Sequence, residues 1–126
     1  MTTPWAIRIV IADPHLGVSR LLASLVAEEE DIRVVAETVG TQDTLAAIER
    51  ERPDVLLLDE DLAHPGCIAA LKSTQEQGET KIVVLVTYPE HCLDALSSGA
   101  SDCLLKDSGA VQLLGAIRGA YLERPM

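Results

Sequence analysis

The chain has 126 residues, a formal net charge of −10 at pH 7 and 48% hydrophobic residues, which fits one domain with a real core and excludes disorder. So acidic a chain repels nucleic acid, and with no phenylalanine, one tryptophan and two tyrosines it has no base-stacking platform. No apolar run approaches a membrane span, and Met1-Thr2-Thr3-Pro4 lacks the basic and apolar regions of a signal peptide, so the expected location is cytoplasmic.

Ile7 to Ala12 (IRIVIA) is a β-branched run that predicts a first strand, ending in Asp13-Pro14-His15. Val18, Leu21, Leu22, Leu25 and Val26 then recur at helical spacing. Glu28 to Asp31 opposes a helix C-terminus and predicts an exposed loop. Ile32 to Glu37 predicts the second strand. Thr41 is a plausible N-cap for a helix carrying Leu45 and Ile48. Pro53 stops that helix, because the residue before proline is pushed out of the helical region. Pro53 to Asp59 (PDVLLLD) is an apolar run closed by a carboxylate, which predicts a strand buried on both faces. Cys67, Ile68 and Leu71 mark a third helix ending near Gly78. Lys81 to Val86 (KIVVLV) is the fourth strand, followed by Thr87-Tyr88-Pro89. A short helix with Leu93 and Leu96 stops at Gly99. Cys103-Leu104-Leu105 is a brief fifth strand before Lys106-Asp107-Ser108. Leu113, Leu114, Ile117 and Tyr121 belong to the last helix, ended by Pro125.

Cys67, Cys92 and Cys103 are odd in number and fit no zinc spacing. In a reducing compartment they are expected to be packed thiols, Cys103 included. His15, His64 and His91 share no metal-site spacing. His15 is expected beside the pocket described next, the other two on the surface.

Five strand-then-helix units predict an α/β fold: a single doubly wound domain, flavodoxin-like, with a parallel sheet in the order 2-1-3-4-5. The domain spans 1–126, with a core of about 7–122, and 123–126 reads as the start of a linker or tail. In this order Asp13 and Asp59 leave the sheet side by side, and Thr87 and Lys106 end neighbouring strands on the same rim. Asp59 could otherwise be an acid capping the next loop. Two carboxylates, a hydroxyl and an ammonium suit phosphoryl chemistry. A carboxylate can be the nucleophile, magnesium can relieve the charge, and lysine and hydroxyl can hold phosphoryl oxygens.

Taken in order, IRIVIAD with His15, PDVLLLD, VLVTY and GASDCLLKD (Gly99 to Asp107) resemble the receiver domain of a two-component response regulator, CheY-like and of the NarL/FixJ class, over about Ile7 to Tyr121. The resemblance implies Asp59 as phosphoacceptor and Asp13 as the first of two acids that help bind Mg2+. It implies Asp61 as a metal ligand through its backbone carbonyl, Thr87 as the switch hydroxyl, and Lys106 as the phosphoryl partner. It further implies a histidine kinase or small phosphodonor, a homodimer, and a C-terminal helix-turn-helix output outside this chain that controls transcription. The chain itself would bind no nucleic acid and act as no enzyme beyond self-phosphotransfer and autodephosphorylation.

Three departures bear on that expectation. Pro14 stands where the family has a second acid, which weakens magnesium binding. Cys103 replaces the switch aromatic, and LAHPGCI replaces MPGMDG after Asp59. Glu60 or Asp61 could replace the lost acid, although solvated loop charges are the favoured reading. The departures also suit a phosphorylation-independent pseudo-receiver that works through protein contacts or dimerisation. Leu58-Asp59-Glu60-Asp61 additionally resembles the DxD motif of haloacid-dehalogenase-type phosphatases. There the motif lies on the first strand of a longer chain, and Asp107 alone does not supply the later acidic pair. No Gly-rich loop follows the first strand, which sets aside a nucleotide or flavin binder.

Overall fold

Strand and helix alternate in the computed structural model, which describes residues 5–63, 65–73 and 80–122. The order is β1 (Ile7–Ala12), α1 (Leu16–Ala27), β2 (Ile32–Thr38), α2 (Thr41–Glu51), β3 (Val55–Asp59), a 3-10 turn (Glu60–Leu62), α3 (Pro65–Ser73), β4 (Lys81–Val86), α4 (His91–Ser97), β5 (Asp102–Leu105) and α5 (Ala110–Leu122). All strand pairings are parallel and the sheet order is β2-β1-β3-β4-β5. Among the described residues no helix is long and apolar enough to cross a membrane.

Successive strand residues point to opposite faces, so each buried strand feeds two cores. On β3, Leu56 and Leu58 join Ala47, Ile48, Ile68, Leu71 and Ala95 beneath α2, α3 and α4. Val55 and Leu57 join Val26, Leu113, Ile117 and Ala120 beneath α1 and α5. All four apolar β3 residues are buried, and each contributes about 1.5–3 kcal/mol of apolar transfer. This explains why the run is unbroken rather than alternating.

Register sets the site. Ala12 pairs with Leu58, so Asp13 and Asp59 leave the sheet together. Val86 pairs with Leu105, so Thr87 and Lys106 do the same one strand over. The β1/β3 boundary is where the winding reverses, and its carboxyl end is the crevice of such sheets.

Several local expectations are corrected. Thr41 is the first residue of α2, not its cap. Gly40 holds the N-cap position, and the Asp43 carboxylate accepts the N–H groups of Gly40 (2.8 Å) and Val39 (3.0 Å). The acids after α1 are not merely an exposed loop. Arg118 of α5 donates to both Asp31 oxygens (2.7 and 2.8 Å) and to Glu29 (2.7 Å). In α4 the sheet-facing residue is Ala95, whereas Leu93 and Leu96 point outward. Pro53 acts as expected: α2 closes on Arg52 in the left-handed region at φ 47°, its N–H on the Ile48 carbonyl. Gly99 ends α4 with φ 115°, where a side chain would be strained and would also meet Lys72. The expected end of α3 near Gly78, His64 and residues 123–126 lie outside the described residues.

Candidate functional site

Asp13 and Asp59 are each only 2% exposed. Buried carboxylates are tolerated only with partners, and Asp59 has two. Its Oδ1 lies 2.7 Å from Lys106 Nζ, and its Oδ2 accepts the Asp61 N–H at 2.9 Å. The capping reading of Asp59 holds, since its side chain caps the 3-10 turn, and the same carboxylate faces the pocket through Lys106. Burial pushes the Lys106 ammonium towards neutrality. The hydrogen bond and charge of Asp59, with Asp61 and Glu60 behind it, outweigh that and hold its pKa above the ordinary lysine value.

Asp13 is satisfied from its own loop. Its Oδ1 accepts the His15 N–H at 2.7 Å and lies 3.1 Å from the His15 ring Nδ1. His15 thus does sit beside the pocket, and with a part in it. One ligand atom each from Asp13, His15 and Asp59 fall within 4.8 Å of one another. Two buried carboxylates and an imidazole fit a divalent cation. Pro14, between two of them, is exposed and offers no side-chain oxygen.

Thr87 is on the rim but does not reach Asp59. Its hydroxyl donates to Glu60 Oε1 at 2.7 Å and its N–H donates to Glu60 Oε2 at 3.1 Å. His91 Nδ1, at the start of α4, lies 2.9 Å from the same Oε2, and its ring meets Tyr88 edge-on at 5.5 Å. Burial pushes Glu60 up, but the bonds from His91 and Thr87 prevail and leave its pKa below the usual value. The Glu60 hydrogen bond raises that of His91, against slight desolvation and with help from the charges of Glu60, Glu90 and Asp94.

One expectation changes here. Glu60 is neither a solvated loop acid nor part of the Asp13–His15–Asp59 cluster; it ties Thr87 to α4. His91 is on the surface, as expected, and is bonded to Glu60. Asp61 is exposed, with its N–H turned to Asp59. Behind Glu60 a cleft of about 340 Å³ opens between the 3-10 turn and α4, floored by Ala63, Val84, Val86 and Ala95.

The cysteine reading also divides. Cys67 is a buried thiol outside the disulfide, as expected. Cys92 and Cys103 are joined in a disulfide, so Cys103 is not a free core thiol. The available signal was topological. A short helix that returns through Gly99 into the adjacent strand brings positions 92 and 103 together.

The sequence profile described as response regulator receiver domain matches residues 9–118. The uncharacterized transcriptional regulatory protein YhcZ of Bacillus subtilis is 36% identical over 110 residues, covering 85% of this chain and 51% of that protein. The oxygen regulatory protein NreC of Staphylococcus epidermidis is 35% identical over 118 residues, covering 90% and 54%. The chain spans about half the length of these curated relatives. Among solved structures, the signal receiver domain of the response regulator NarL from Mycobacterium tuberculosis superposes with a TM-score of 0.86 at 25% identity, covering 96% of this chain and 100% of that one.

Proposed function

Since this chain belongs to the response regulator receiver domain family of two-component systems, we propose that it accepts a phosphoryl group on Asp59 and passes the event to the surface around α4. The observation that carries this reading is the contact of Lys106 Nζ with Asp59 Oδ1 at 2.7 Å, in a pocket shared with buried Asp13.

An Asp59 carboxylate oxygen attacks the phosphorus of a histidine kinase's phosphohistidine or of a small acyl phosphate. The new O–P bond forms as the bond to the leaving group breaks, giving an aspartyl phosphate. Lys106 neutralises charge on the phosphoryl oxygens, and the Asp61 N–H steadies the carboxylate. A divalent cation, Mg2+ or a related ion, held by Asp13, Asp59 and the Asp61 backbone carbonyl, would supply the remaining positive charge. His15 is the group best placed to compensate for Pro14.

Thr87 can meet the phosphoryl group only by leaving Glu60. Glu60 then loses a partner it shares with His91, and the change reaches α4. Under this reading the chain turns over no external substrate. Its partners are a cytoplasmic kinase or phosphodonor and a second copy of the chain, and control of transcription, which the name of YhcZ carries, is the destination of the signal.

Incubation with acetyl phosphate and Mg2+, read by intact mass, tests the proposal. It requires a gain of one phosphoryl group that is absent in Asp59→Asn. No gain at saturating cation favours instead a phosphorylation-independent interaction module. Pro14 and the disulfide at Cys103 are the features that speak for that second reading.

A further inference from the structure

Cys92 lies in the first turn of α4 and Cys103 on β5, with Cα atoms 5.6 Å apart and their sulfurs bonded. Both are half-buried at the margin of the core beneath α4. Little else fixes this helix. It spans seven residues and buries only Ala95. Leu93 and Leu96 are 73% and 47% exposed, and the cleft of about 340 Å³ separates its inner face from the 3-10 turn. The His91–Glu60 pair holds its start, and backbone bonds around Gly99 and Ala100 hold its end. The disulfide is the one covalent tie, and it runs to the strand that three residues later delivers Lys106 to Asp59.

We propose that Cys92 and Cys103 form a reversible redox site that fastens α4 to β5 when oxidised and releases it when reduced. The proposal goes beyond phosphoryl acceptance and does not rest on it, since the site is read from thiols and from α4 rather than from Asp59. In reducing compartments, the disulfides that do form are mostly transient and redox-sensing. The oxidant required is a low-molecular-weight disulfide. One cysteine thiolate attacks it, forming a mixed disulfide and expelling one thiolate. The second cysteine attacks the protein sulfur of that mixed disulfide and expels the other. The two cysteines together give up two protons and two electrons, and the small disulfide leaves as two thiols. Cys67 stays outside this exchange: burial pushes its thiol up, against a weaker hydrogen bond from Thr41.

The test uses the whole chain equilibrated with oxidised glutathione or with dithiothreitol, then denatured and alkylated with N-ethylmaleimide. The site requires one adduct, on Cys67, in the oxidised sample and three in the reduced one, matching one cysteine outside the disulfide and two within it. Three adducts after oxidation, or glutathione retained on Cys92 or Cys103 without the internal bond, overturns it. Amide hydrogen exchange reads the fastening. Residues 91–98 are expected to exchange at least about tenfold faster after reduction. Cys92→Ser should exchange at the reduced rate whether or not oxidant is present, and Cys67→Ser should respond as wild type. Equal exchange in the oxidised and reduced wild-type protein contradicts the fastening, and this comparison needs no variant to fold.

Discussion

Thr87 is bonded twice to Glu60, through its hydroxyl at 2.7 Å and its backbone N–H at 3.1 Å. Glu60 follows directly on Asp59, so the hydroxyl at the end of β4 stands between two acids from the same strand end. In this structure the second acid holds it, together with His91 of α4. A phosphoryl group on Asp59 would therefore compete with Glu60 for Thr87, which gives the pocket a direct route to α4.

The pH dependence of that grip follows from two shifts of opposite sign. His91 is raised above 6.5, so its contribution is fully present below pH 6.5 and is lost as pH rises through its folded value. Glu60 is lowered below 4.5, so its contribution is present above pH 4.5 and is lost as pH falls through its folded value. The link between the 3-10 turn and α4 is firmest between those limits. An NMR titration of His91 should show a midpoint above the ordinary histidine value, moving down towards it in Glu60→Gln. An unchanged midpoint in that variant contradicts the pairing.

Asp13→Asn should stabilise the fold. Ligand atoms of Asp13 and Asp59 lie within 4.8 Å, and two like charges at such a separation repel by roughly 3–4 kcal/mol at an effective dielectric of 20. Asn keeps an acceptor for the His15 N–H while removing the charge. A gain of about 1–3 kcal/mol in urea unfolding is expected, in line with the general conflict between stability and a charged active site. A loss would mean that the His15 contact outweighs the repulsion.

His15→Ala should weaken binding of Ni2+ or Zn2+ by about tenfold or more, with a smaller effect on Mg2+, because imidazole suits these later first-row ions whereas magnesium prefers oxygen donors. Calorimetry with each metal measures this directly. Equal losses for all three ions would remove His15 from the donor set.

Arg118→Ala should cost only about 1 kcal/mol or less. Its bonds to Asp31 and Glu29 are short, but the three side chains are 38%, 44% and 31% exposed, and exposed pairs are worth little. Arg118 holds the Asp31 carboxyl below the usual range against slight desolvation, so the contribution is present above pH 3.8 and is lost as pH falls through the folded value. The deficit should shrink further in 1 M salt, where screening is strong. A loss of several kcal/mol, unchanged by salt, contradicts this.

The strands were legible because burial on both faces leaves no alternative to unbroken apolar runs such as Val55 to Leu58. The pairing of Asp59 with Lys106 followed from strand order and from where the runs end. Thr87 could be put on the rim but not aimed, since rotation about one side chain decides between Asp59 and Glu60. Which face of α4 meets the sheet was not legible either. A seven-residue helix offers the sheet little more than one position, and Ala95 takes it, so the larger Leu93 and Leu96 are left outside. The cysteine pair required the register of a helix against a strand, which no spacing rule for metals or cores contains.

Chemical trapping of an acyl phosphate identifies the residue that carries it. After incubation with acetyl phosphate and a divalent cation, borohydride reduces an aspartyl phosphate to homoserine, and peptide mass spectrometry locates it. Homoserine is expected at position 59 in wild type and at no position in Asp59→Asn. Homoserine at position 13 or 61, or at no position while the pocket binds its cation, would contradict phosphoryl acceptance on Asp59.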